Sequence, residues 1–286
     1  MEKKKSQKVL AWTTKDVVKT VLNYFFNTVL LAVLFYLSVY LDGLRGANDS
    51  PYANPTTFAH FVILLVIIVS VMALYFAFEA KDFMHNQVNT EMIFLILQLS
   101  LIVSYACGAY VSEYFRPLAF AALITLFVAD RRTAVFINFV FCIMVFLFDS
   151  FVTSSFDIGN YPSLIMGFSA GLLATFCMDT VHSRLKLFAR SLIVSIPALL
   201  SVGMNIIEHG SASFDIGVAL ACAACSGPLS AIIFSVLLPI FETLFKKVSY
   251  FKYSELTDHK APVIRKLKKN GFTRVRSGDP HHVKMM

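Results

Sequence analysis

The chain has 286 residues, of which 57% are hydrophobic, 14% aromatic and only 15% charged, and its mean hydropathy is +0.68. Soluble domains carry about a quarter charged residues, so this composition excludes an ordinary soluble enzyme or binding module and defines a polytopic membrane protein. The formal net charge of +7 gathers at Glu2 to Lys8, around Arg131 and Arg132, from His182 to Arg190 and after Phe245; basic clusters that border apolar runs report topology and contact with anionic membrane lipids, not nucleic acid.

Continuous apolar runs recur along the chain, long enough to cross a hydrocarbon core of roughly 30 Å as helices, and they lack the short alternating pattern of a β-barrel. The fold class is therefore all-α, a polytopic transmembrane bundle of about eight helices with a short cytoplasmic tail. Residues 1–20 read as a basic cytoplasmic N-terminus and 21–41 as an N-terminal membrane helix, too far into the chain for a cleaved signal peptide. An external loop, 42–60, leads to a seven-helix domain over 61–245, with spans at 61–78, 92–110, 117–129, 133–148, 161–178, 187–207 and 216–244. The span at 117–129 is short, and charge bookkeeping supports it. With Lys3, Lys4 and Lys5 inside, an in-out alternation that includes it also places Arg131-Arg132, Arg184-Leu185-Lys186 and Lys246-Lys247 inside. Residues 246–270 are a cytoplasmic linker, amphipathic over 254–269, and 271–286 lacks periodicity and reads as disordered.

Within these spans a few residues stand out. Gly167 and Gly171 have GxxxG spacing with Ala170 beside them, which lets two helix backbones approach, within the bundle or in a homodimer. The last span is too long for one straight crossing and carries Gly227-Pro228 at its middle, with Pro239 and Glu242 near its cytoplasmic end. Proline removes a backbone donor and clashes with the preceding turn, so a kink at Pro228 and a bend at Pro239 are expected. Either the prolines transmit a small rotation to whatever follows or they merely fit the bundle. The five cysteines all lie in apolar runs; Cys222 and Cys225 have CxxC spacing but sit among small residues, a packing context.

Candidate chemistry is sparse. Transporters place ionisable residues near mid-membrane, whereas here Gln98, Asn138 and Asn205 are uncharged and Asp130, Asp149, Asp179, Glu208 and Glu242 lie near span ends. No Gly-rich phosphate loop or Ser-His-Asp set is present. Asp279-Pro280-His281-His282 offers donors without the surrounding shell that fixes ligand geometry.

The stretch from Leu237-Leu238-Pro239-Ile240-Phe241-Glu242-Thr243-Leu244-Phe245 through Tyr253-Ser254-Glu255-Leu256-Thr257-Asp258-His259 to Ala261-Pro262-Val263-Ile264-Arg265-Lys266-Leu267 resembles the membrane exit of bacterial seven-transmembrane HD-domain phosphohydrolases. Arg116-Pro117-Leu118-Ala119-Phe120, Asp130-Arg131-Arg132-Thr133-Ala134 and the segment from Gly167 to Lys186 are similar to that family as well. The resemblance implies a bacterial inner-membrane protein with both termini cytoplasmic, in which the last helix hands over to a hydrolase that degrades cyclic di-AMP. Such a hydrolase needs a His, an adjacent His-Asp pair and a later Asp around a divalent metal pair. No His-Asp dipeptide occurs in the chain, and Asp258-His259 is the reverse order.

The expected function is thus the membrane sensor and anchor region of a cyclic di-AMP phosphodiesterase, read as lacking both the large extracellular domain and the catalytic HD domain. No catalytic, metal or cofactor residue can be placed, and the metal pair is expected only in the absent HD domain. Gly227, Pro228, Pro239 and Glu242 are candidates for signal transmission, and Gly167 and Gly171 for helix packing. Membrane lipids, a second copy and a separate HD hydrolase chain are the partners to consider. A small-solute transporter or channel, or a nonfunctional gene fragment, is the alternative.

Overall fold

In the computed structural model, residues 14–43, 55–80, 87–152, 161–178, 184–209 and 215–245 are described. They are helical almost throughout, with no strand among them: α1 (Thr14–Gly43), α2 (Pro55–Phe78), α3 (Gln87–Tyr110), a 3-10 turn (Glu113–Phe115), α4 (Phe120–Val128), α5 (Arg131–Val152), α6 (Tyr161–Met178), α7 (Arg184–Val194), α8 (Ile196–His209) and α9 (Ile216–Phe245). Hydrocarbon offers no partner for an exposed amide, so a run of this hydropathy closes its hydrogen bonds within its own helix. Six helical stretches have the length and apolarity to cross a membrane, and a seventh, Ser163–Met178, is shorter but apolar. The amphipathic linker, Asp258-His259, Asp279 to His282 and the 271–286 tail lie outside the described residues.

The crossing at 117–129 differs from a plain span. Only Phe120–Val128 is helical, nine residues, which is about 14 Å of rise and less than half a hydrocarbon core. Ahead of it Arg116 is extended, with φ −60° and ψ 129°, because the residue before a proline is excluded from the helical region, and the chain then turns into the helix with Phe120 N–H on the Pro117 carbonyl at 3.1 Å. Non-helical backbone at membrane depth survives only where protein covers it. Leu118 and Ala119 are buried, and Phe120, Ala121, Ala122, Leu123 and Ile124 are wholly so. α4 is thus a central half-helix packed among α5, α6 and α9.

The span at 187–207 is likewise two helices, α7 and α8, interrupted at Ser195. Pro197 lies just beyond and has no N–H to return to the carbonyl of Ile193. The turn tightens instead, with Ser195 N–H on the Leu192 carbonyl at 3.2 Å.

Side-chain contacts fix the alternation of the crossings. Arg132 pairs with Glu79 at 3.0 Å, the Arg131 guanidinium lies 4.0 Å over the Phe176 ring, and Arg190 donates to the Cys177 carbonyl at 2.7 Å. These contacts gather the end of α2, the start of α5, the end of α6 and the start of α7 at one end of the bundle. Asp130 caps α5 there, accepting from the N–H groups of Arg132 and Thr133 and from the Thr133 hydroxyl. α1 runs parallel to α3, tied by Gln98 donating to Asn27 at 3.2 Å and Asn23 donating to Glu91 at 3.4 Å. At the opposite end, Arg116 is the single Lys or Arg among the described residues. This asymmetry is the one expected of a membrane bundle whose basic end faces the cytoplasm.

Candidate functional site

Two polar features of the interior arise where proline breaks the regular backbone. The first is at the middle of α9, which stays helical through Pro228 and Pro239. Pro228 has no N–H, so the carbonyl of Ala224 loses its helical donor. The Ser195 hydroxyl supplies the replacement, donating to Ala224 O at 2.8 Å while its oxygen accepts from Gly227 N–H at 3.1 Å. The Ser226 hydroxyl in turn donates to Ala223 O at 2.8 Å. Ser195 is itself the interruption between α7 and α8, so two proline-disturbed helices meet at their irregular points. Gly227 is what allows the approach: a Cβ there would overlap the Ser191 carbonyl oxygen and lie 2.6 Å from Ser195 Oγ.

Pro239 and Glu242 are not part of this cluster. They lie 11 residues or more further along α9, about 16 Å of rise, with Pro239 exposed and Glu242 half-buried. Beside them Leu238 and Phe241 are buried, and the Thr243 hydroxyl donates to the Pro239 carbonyl at 2.7 Å.

Gly167 and Gly171 face α5. A Cβ on Gly167 would come 2.9 Å from Cys142 Sγ, and one on Gly171 would overlap the Asn138 amide, whose Nδ2 donates to the Phe168 carbonyl at 3.4 Å. Gly171→Ala is therefore expected to lower stability by about 1–3 kcal/mol through overpacking. Asn138→Ala in the same chain should recover part of the loss, read from thermal melting of the detergent-solubilised protein. Equal losses with and without Asn138 would contradict this packing.

The second feature is an ion pair at the less basic end of the bundle. Arg116 Nη1 meets both carboxylate oxygens of Asp149, at 2.8 and 2.7 Å, with side chains only 11% and 12% exposed. Gly108 on α3 makes room for the guanidinium, since any Cβ there would collide with its Nε. Next to the pair, Tyr114 is buried. Burial, reinforced by Glu113 and opposed by Asn205 of α8, pushes its phenol up to about 12, so it stays a neutral donor.

Sequence reading placed Arg116 just outside a span and Asp149 at the end of one, and so missed their pairing. The signal was nevertheless present: residues that open one crossing and close the next must meet at the same end of a helical hairpin.

Arg116 also borders two small cavities. One, about 20 Å³, lies among α1, α3 and α5. The other, about 10 Å³, is lined by Leu118, Met166, Ala198, Ser226, Gly227 and Ser230 and places the ion pair next to the Ser195–Gly227 crossing. Among the described residues no group of three or more His, Cys, Asp or Glu could hold a metal ion, so they do not build the donor set of a metal pair.

An all-helical bundle whose helices are long and apolar enough to cross a membrane, with its described Lys and Arg residues, Arg116 apart, gathered at one end, defines a polytopic membrane domain. The chain belongs to the family described as 7TM receptor with intracellular HD hydrolase, which matches residues 55–249; α1 precedes the match. It is similar to the cyclic-di-AMP phosphodiesterase PgpH of Bacillus subtilis (strain 168), with 22% identity over 241 residues that cover 81% of this chain and 33% of the relative. The chain thus spans about a third of that relative's length. No solved structure matches it.

Proposed function

We propose that this chain is the membrane sensor and anchor region of a cyclic di-AMP phosphodiesterase system in a bacterial cytoplasmic membrane, with its basic end in the cytoplasm. A stimulus at the opposite end reaches a hydrolase through α9. The observation that carries this reading is the Ser195 junction. α9 runs the length of the bundle toward the family's hydrolase side, and its proline-weakened midpoint is held by one side chain from the α7–α8 break. A helix with a discrete, breakable clasp at its centre can adopt two arrangements, which is what transmission requires. In this reading Gly227 and Pro228 form the moving part, and Pro239 and Glu242 pass the motion on.

The test joins the whole membrane region to the HD hydrolase of PgpH in place of that protein's own membrane helices, in cells without other cyclic di-AMP hydrolases. The chimera should lower cellular cyclic di-AMP, and Ser195→Ala should alter that activity at unchanged membrane abundance. Identical activity for the chimera, its Ser195→Ala form and an unrelated membrane anchor would refute transmission through α9. The purified chain by itself is expected to leave cyclic di-AMP intact; hydrolysis abolished by a chelator would overturn the division of labour proposed here.

A further inference from the structure

The cavity among α1, α3 and α5 has a composition that specifies a ligand. Its walls are Leu34, Phe35, Leu101, Ile102, Val145 and Phe148, while its polar groups are the hydroxyls of Ser38, Ser104 and Tyr105 together with Arg116. At about 20 Å³ it has room for one or two water-sized groups and no more. Ile102, on its lining, is 46% exposed on the outside of the bundle, so the cavity adjoins the lipid-facing surface of α3. Its depth is also informative. Tyr36, Tyr40 and Tyr110 are exposed on the same ends of α1 and α3, at 46%, 50% and 75%, and exposed tyrosines mark the membrane–water interface. Ser38 and Tyr105 lie within a turn or two of them, at the level where hydroxyl and carbonyl groups of lipids reside.

Charge decides which head group fits. The Arg116 guanidinium is already neutralised by Asp149 at 2.7 Å, and its Nε edge faces Gly108. A carboxylate or phosphate entering the cavity would bring a second negative charge beside Asp149, and an uncompensated buried charge is costly. A hydroxyl or carbonyl carries no such penalty and can exchange hydrogen bonds with Ser104, Ser38 and Tyr105.

We propose that this cavity is a lipid-fed site for the hydroxyl head of an uncharged amphiphile, a long-chain alcohol, whose chain stays in the bilayer along α1 and α3. The buried amides Asn27 and Gln98 tie α1 to α3 in the other half of the two helices, so an occupant of this cavity inserts between them away from that tie. The signalling consequence rests on the sensor reading above; the binding does not.

The experiment uses the full chain in nanodiscs and a photoreactive diazirine analogue of oleyl alcohol, with labelled residues mapped by mass spectrometry. Saturable labelling of the outer halves of α1 and α3 is expected, displaced by oleyl alcohol at concentrations about tenfold lower than by oleate or octadecene. Ser104→Leu, which fills the cavity, should weaken labelling about tenfold. Ile102→Trp, on the exposed side where folding is tolerant, should do the same. Labelling spread evenly over lipid-facing helices and unchanged in both variants would mean annular lipid only, and preference for oleate would overturn the choice of a neutral head. None of these outcomes depends on a hydrolase, so they separate failure of this site from failure of the chimera.

Discussion

Gly227→Val is expected to be among the most damaging single changes in the membrane domain, with loss of a monodisperse, foldable protein in detergent. The reason is the identity of the neighbour. A Cβ at this position would meet the Ser191 backbone carbonyl and would lie 3.0 Å from the Ser195 backbone nitrogen, and backbone in the middle of a packed helix cannot step aside as a long side chain can. α9 would have to move away from α7. Overpacking of this kind costs about 1–3 kcal/mol even when the surroundings adapt, and separation of the helices also removes the Ser195 hydrogen bonds, worth about 0.6 kcal/mol each on average inside membranes. Gly227→Ala should show the same effect in smaller measure. Pro228→Ala should act in the opposite direction, because a restored N–H can serve the Ala224 carbonyl without Ser195; in that background Ser195→Ala should become nearly silent. Thermal melting across this set provides the check. A Gly227→Ala protein as stable as the parent would mean that the helices do not approach as described.

The membrane class and the all-helical bundle were legible because they depend on hydropathy run length, a local property of sequence. Pro228 was legible as a weak point for the same reason, since a missing N–H is a property of one residue. What satisfies the weakness was not legible: Ser195 lies 29 residues before the Ala224 carbonyl it serves, in a stretch that reads as one continuous span. Pro197 was the available signal for a break there. The shortness of α4 follows from Arg116-Pro117, a dipeptide whose conformational restriction is local but whose position at membrane depth depends on burial by α5, α6 and α9. Gly167 and Gly171 announced a close approach without naming the partner, because a GxxxG pair specifies a surface and not what covers it; Asn138 and Cys142 cover it here.

Arg116→Ala should be as severe as the glycine change, and for a different reason. Asp149 is 12% exposed and the guanidinium at 2.7 Å is its charged partner across the hairpin; removal of one member of a buried pair leaves the other charge uncompensated, at a cost of about 3–5 kcal/mol. The sign of the effect should reverse on repair. Replacing both residues with apolar ones of similar size, Arg116→Met with Asp149→Leu, removes the desolvation cost together with the attraction, and such exchanges are often neutral or stabilising. The double variant is therefore expected to melt well above either single variant, with a large coupling free energy in the cycle. Arg116→Lys should fall between, since an ammonium retains the charge but, on a shorter side chain, does not reach the position from which Nη1 meets both Asp149 oxygens. Additive losses in the double variant would show that the pair does not form. If the pair serves only to hold α4 against α5, the double variant placed in the PgpH chimera proposed above will give the same cyclic di-AMP level as the parent chimera. Arg116 lines both the cavity among α1, α3 and α5 and the one beside Gly227; if it couples them, the double variant in that chimera will be well folded but will give an altered cyclic di-AMP level.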